Sequence, residues 1–273
     1  MASRYWDESS AERYRRYRFD FRERALGGRA VVLAGGTGGL GAATAVLLAS
    51  EGVHLIAGYR SNRVRAEEFR RAIEEQFGQR PVLVEGELID SKVRSAYLAA
   101  IGRLEKPLAG AVIFPGDPAR VAFEDLDRGS MTASLEANYV GPMLLAKELG
   151  AALERGGGGS LVLMASMQGV EAFPSSLNYA GPKAALVHAA RVLAQQWPSV
   201  GVNVVAPGAT TAGMAESSVS AGKYDRYRES GAIARFGRPE DVARAVRFFL
   251  EPDNYVTGQV LVVDGGLTLR RAR

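Results

Sequence analysis

The chain has 273 residues, 47% of them hydrophobic and 23% charged, with no cysteine and two histidines. This gives room for one large domain with a sizeable core, and it excludes a disulfide-stapled fold, thiolate chemistry and a structural zinc site. The formal charge of +4 resides in the tails, because residues 29–269 carry 24 bases against 25 acids, so nucleic acid is not expected as a partner of the body.

In chain order, residues 1–28 form an Arg-rich arm holding six of the 22 aromatics. Ser9 and Glu12 read as a capping box, and Tyr14, Tyr17 and Phe21 share the face of the helix it opens. The arm is expected to pack on its own domain or on a neighbouring subunit. It lacks the apolar segment of a signal peptide, and no later apolar run approaches the roughly 18 residues of a membrane span, so a cytoplasmic protein is expected.

From residue 29 to 273 a single catalytic domain is expected. Apolar runs near 31–34, 55–57, 82–84, 111–114, 161–164, 202–206 and 260–263 read as strands buried on both faces. Helical periodicity near 40–50, 63–77, 91–104, 130–155, 178–197 and 239–250 supplies the crossovers of repeated βαβ units. The fold class is therefore α/β, a doubly wound, Rossmann-like domain with a seven-stranded parallel sheet. The glycines of 156–159 read as a joint, and His54 and His188 as structural residues, His188 on an apolar helix face. The segment 212–236 lacks periodicity and reads as a mobile lid.

Two constellations carry chemistry. The first strand runs into Gly35-Gly36-Thr37-Gly38-Gly39-Leu40-Gly41 and then a helix, a turn that lets backbone approach a pyrophosphate at a helix N-terminus. Tyr179 and Lys183 lie four apart on one helix face. A neighbouring ammonium stabilises phenolate, so the pair is expected to lower the tyrosine pKa and make a general acid for carbonyl reduction.

In this order and separation the two constellations resemble the short-chain dehydrogenase/reductase family over residues 27–269, closest in look to the 3-oxoacyl-[acyl-carrier-protein] reductases. Ser166 stands 13 residues before Tyr179, and Asn138 in Glu136-Ala137-Asn138-Tyr139 matches the family's helix asparagine. Asn203-Val204-Val205-Ala206-Pro207-Gly208, Gly237-Arg238-Pro239-Glu240 and Asp264-Gly265-Gly266 are similar to its later signatures. The resemblance implies hydride transfer from NADPH to the carbonyl carbon of a small molecule. Tyr179 would donate the proton, Ser166 polarise the oxygen, Lys183 bind the nicotinamide ribose, and Asn138 position a water that returns protons to Lys183.

The same resemblance implies further cofactor contacts. Gly35, Thr37, Gly38, Gly39, Leu40 and Gly41 would meet the phosphates, Glu87 and Leu88 the adenine, and Pro207, Gly208 and Thr210 the nicotinamide. Phe114, Pro115 and Gly116 stand where the family has Asn-Ala-Gly, which reshapes the cofactor wall. Tyr59 occupies the place of the acid that selects NAD(H), and Arg60, Ser61 and Asn62 follow it, so NADP(H) is expected, with NAD(H) possible. A homodimer or homotetramer through the helices near 130–155 and 178–197 is implied, and no metal. The alternatives are an NAD-dependent alcohol dehydrogenase working in the oxidative direction and a non-catalytic dinucleotide sensor.

Overall fold

Strands covered on both faces must be largely apolar, and the seven that form here are, with His54, Glu85, Ser160 and Asn203 among the exceptions. They are β1 (Ala30–Ala34), β2 (His54–Tyr59), β3 (Val82–Glu85), β4 (Leu108–Ile113), β5 (Gly159–Met164), β6 (Val200–Pro207) and β7 (Val260–Val263). The computed structural model describes residues 24–174 and 176–270. All seven strands pair in parallel, in the order β3-β2-β1-β4-β5-β6-β7. The order reverses between β1 and β4, which opens a crevice at the carboxyl ends of these strands.

Alternate residues of each strand feed two cores. Val31, Leu33, Leu55 and Val112 pack with α1 (Gly39–Ser50), α2 (Arg63–Phe77) and the late helix Pro239–Leu250. Val32, Ile56, Ala111 and Leu163 face α3 (Ser91–Leu104) and two helices described next. The helix expected over 130–155 is divided into α4 (Arg128–Leu135), one wide π-type turn (Glu136–Val140) and α5 (Gly141–Arg155). The helix expected over 178–197 is α6 (Leu177–Leu193), and α7 (Glu216–Ser220), α8 (Asp225–Glu229) and α9 (Pro239–Leu250) complete the set. Among the described residues no helix is long and apolar enough to cross a membrane.

Several expectations need correction. Phe114 leaves β4, because Pro115 has no N–H for the ladder and holds its predecessor extended, although Phe114 N still donates to Ala34 O at 3.0 Å. His188 is exposed, since the buried face of α6 runs through Lys183, Leu186 and Ala190 instead. The arm's capping box and aromatic face lie outside the described residues. Leu26, at the arm's end, is fully buried with Leu48 and Val53, so the core begins before residue 29.

The segment 212–236 has a small core of its own. Tyr224, Tyr227 and Ile233 are buried against Met167 and against Leu267 beyond β7. Its two ends are paired side by side: Gly237 N donates to Ala209 O and Thr211 N to Gly237 O, both at 2.9 Å.

Candidate active site

The glycine loop shapes the floor of the crevice. A Cβ on Gly41 would lie 2.3 Å from Gly35 O, so the helix can pack this tightly on the loop only with glycine there. Gly38, at the N-cap of α1, supplies no capping side chain, and the first turn holds no acid. The free N–H groups and the positive end of the helix therefore suit a phosphate. Thr37 is buried, while Gly38 to Gly41 line the cleft.

Tyr179 and Lys183 are presented by α6, which contains Pro182. Proline cannot donate to the carbonyl four residues earlier, that of Asn178. Ser134 of α4 donates its hydroxyl to that carbonyl instead, and in turn accepts from Asn138 Nδ2 at 3.3 Å. The same Nδ2 donates to Asp117 O at 3.0 Å, and Asn138 Oδ1 accepts from Asp117 N at 3.1 Å. The wide turn thus lets a fully buried Asn138 clamp the loop after β4 to the helix carrying Tyr179. A Cβ on Gly116 would lie 2.5 Å from Asn138 Oδ1 and 3.0 Å from Lys183 Nζ, so this loop passes closely over both.

Ser166 caps the turn after β5, its Oγ accepting from Gln168 N at 3.2 Å. That bond uses a lone pair and leaves the hydroxyl proton free to donate. Lys183 Nζ donates to Met164 O at 3.0 Å and lies 5.7 Å from the centre of the Tyr179 ring. One cleft joins Ser166, Tyr179 and Lys183 to Phe114, Pro115 and Gly116, with Pro207, Gly208 and Thr210 on the opposite wall.

The electrostatics differ from the sequence expectation. Burial pushes the Tyr179 phenol up to about 12, and contact with Ser166 offsets only part of the rise. Burial also draws Lys183 down to about 8, so here desolvation, acting against each charged form, outweighs the pull of ammonium on phenolate. Tyr179 is accordingly a neutral phenol with a proton to give.

A family model described as enoyl-(acyl carrier protein) reductase matches residues 34–268. The chain belongs to the short-chain dehydrogenase/reductase family. It is 29% identical over 255 residues to the NADPH-dependent aldehyde reductase-like protein, chloroplastic, of Arabidopsis thaliana, covering 88% of this chain and 94% of that one. It is 30% identical over 255 residues to the cis-4-hydroxycyclohexanecarboxylate dehydrogenase of Sinomonas cyclohexanicum, covering 89% and 98%. A solved short-chain type dehydrogenase/reductase from Mycobacterium ulcerans superposes with a TM-score of 0.84 at 25% identity, covering 90% and 92%. As a member of this family the chain is an NAD(P)-dependent oxidoreductase acting on alcohol and carbonyl groups.

The residues present fit a short-chain dehydrogenase/reductase cofactor. Beside the uncapped N-terminus of α1, the buried Lys183 ammonium has three N–H bonds and a single hydrogen-bond partner, Met164 O, among the described residues. Arg60, Glu87 and Leu88 line the adjoining cavity with Pro115 and Gly116. Ser61 and Asn62 do not line it; Asn62 Oδ1 caps α2 by accepting from Arg65 N at 3.0 Å. Tyr59 donates to Glu85 Oε2 at 2.8 Å, and this carboxylate faces a separate hollow with Arg63, Arg70 and Arg80. Thr210 is buried in the cleft, whereas Thr211 is exposed.

Sequence reading missed two supporting residues. Arg94 is buried on α3, where its Nη1 donates to Leu88 O at 2.7 Å and Ile89 O at 2.9 Å and its Nε pairs with Glu148 at 2.9 Å. It thereby holds the loop at the far end of the cleft, and its signal was a lone arginine on the same helix face as Tyr97 and Ala100. Arg120 left no such signal, because only folding brings it to Met214, Ser217 and Ser218.

Proposed function

We propose that the chain reduces the carbonyl of a small molecule to an alcohol, with NADPH as the reductant and Tyr179 as the proton donor. The observation that carries this reading is the half-buried Tyr179, held as a neutral phenol, sharing one cleft with Ser166, Lys183 and the glycine turn. A bound nicotinamide cofactor supplies the hydride to the carbonyl carbon. The chain's own residues handle the oxygen. Ser166, its lone pair taken by Gln168 N, donates its free proton to the carbonyl oxygen, and Tyr179 transfers the phenol proton to it. Lys183, drawn down to about 8, is able to exchange a proton near neutral pH and so restore the phenol. Asn138 acts by positioning: both polar atoms of its amide are engaged, fixing the loop that passes over Lys183.

The preference for NADPH rests on Arg60, which lines the cleft extension, and on the absence of an acid at Tyr59. The nearest carboxylate on β3, Glu85, is bound by the Tyr59 hydroxyl and turned into the neighbouring hollow. The Arabidopsis relative is named for the same cofactor and for aldehyde reduction. Tyr179→Phe tests the reading. Turnover of a ketone or aldehyde panel, followed as loss of NADPH absorbance, should fall at least a hundredfold while NADPH binding stays within a few-fold of wild type. Retention of more than about a tenth of the rate would remove Tyr179 from the proton-donor role.

A further inference from the structure

Beyond Ser166 and Tyr179 the cleft opens into a cavity of about 360 Å³, walled by the loop after β4 and by the segment with α7 and α8. Its lining holds two cations, Arg120 and Lys223, and no Asp or Glu. The cavity on the cofactor side is different, with Glu87, Asp117 and Glu136 beside Arg60 and Arg120. The charge imbalance therefore belongs to the substrate side alone.

Among the described residues no carboxylate pairs with Arg120 or Lys223. Within the described residues Arg120 bonds through Nη2 alone, donating to Met214 O at 3.0 Å, Ser217 Oγ at 2.8 Å and Ser218 Oγ at 3.3 Å. These bonds anchor the guanidinium and leave Nε and Nη1 for a ligand. Lys223 stands 6.0 Å from the ring of Tyr224, whose hydroxyl accepts from Gln168 Nε2 at 3.3 Å and is kept a neutral phenol by burial, which raises its pKa although Gln168 and Arg120 pull the other way. An anchored guanidinium with free donors, a second cation and neutral hydroxyl and amide groups make a receptor for an anion.

We infer that the substrate is a carbonyl compound bearing a carboxylate or phosphate group, held by Arg120 and Lys223 while its carbonyl lies at Ser166 and Tyr179. This rests on the reductase reading and specifies its substrate class. The covalent change is unchanged: carbon gains the hydride, oxygen gains the Tyr179 proton, and the anionic group is carried through intact.

The test is kcat/KM with NADPH and NADH for three matched pairs: 4-formylbenzoate and its methyl ester, 4-oxopentanoate and its methyl ester, and dihydroxyacetone phosphate and dihydroxyacetone. Wild type should favour the anionic member of at least one pair by tenfold or more, and added salt should shrink that ratio. The favoured pair distinguishes carboxylate from phosphate. Arg120→Gln and Lys223→Gln should each lower the anion-to-neutral ratio several-fold, with Arg120→Lys intermediate. If Arg120 served only to hold the adjoining segment, both members would lose equally and the ratio would stand. Equal wild-type efficiency within every pair, or a ratio unmoved in both glutamine variants, overturns the inference and leaves the reductase reading intact. No turnover of any probe, neutral or anionic, with either cofactor overturns the reductase reading itself.

Discussion

Replacing Lys183 by Met should make the protein more stable while destroying its activity. The ammonium is fully buried, and burial draws its pKa from 10.5 to about 8. At about 1.4 kcal/mol per pKa unit, keeping that charge inside the fold costs about 3 kcal/mol at neutral pH. Methionine has nearly the same length and no charge to desolvate. It also loses the bond to Met164 O, which returns about 1 kcal/mol, so the net gain is about 2 kcal/mol, or roughly 4–8 °C in Tm for a chain of this size.

The pH dependence follows from the direction of the shift. Between the folded value near 8 and the unfolded value near 10.5 the unfolded chain binds more protons, so wild-type stability rises with pH across that window. The advantage of Lys183→Met is full below pH 8 and fades toward pH 10.5. Urea unfolding of both proteins at pH 7, 9 and 10.5 measures it, because contributions from other groups cancel in the difference. A variant no more stable than wild type at pH 7, or a gap that stays constant with pH, would refute the argument that desolvation dominates at Lys183.

Arg60→Ala should remove most of a ten- to hundredfold preference for NADPH over NADH in kcat/KM, since a charge-assisted bond contributes about 1.5–3 kcal/mol; equal efficiency of wild type with both cofactors would sink the assignment. Gly41→Ala should abolish cofactor binding, measured by fluorescence titration, because the new methyl would sit 2.3 Å from Gly35 O and force the loop off the helix. Deleting residues 1–23 keeps Leu26 in the core and should leave an active domain with weaker self-association or a lower melting temperature. Unchanged sedimentation and melting would show that the arm serves neither purpose.

The sheet was legible because strands buried on both sides leave few alternatives to Val, Ile, Leu and Ala. Ser166, Tyr179 and Lys183 were legible through spacing, and the structure gathers them in one cleft. What joins them was not legible. The bond from Ser134 reaches an Asn178 carbonyl that Pro182 leaves without its helical donor, and the wide turn at Glu136–Val140 has no compositional mark. The direction of the Tyr179 shift was missed for a related reason: the nearby lysine is visible in the sequence, whereas the burial that overrides it comes from strands and loops far along the chain. Segment 212–236 showed no period because its apolar residues pack on one another and on Leu267 and Met167, not along one helix face.

The paired ends of that segment make it a cassette. Ala209 and Thr211 meet Gly237 by backbone bonds, so the excursion between them leaves and rejoins the scaffold at one point. Loop-closure entropy grows only slowly with length, and lengthening or exchanging this piece should put little strain on the sheet or on α6. Substrate range can then diverge by grafting one stretch of about twenty-five residues, with the proton-transfer machinery inherited unchanged.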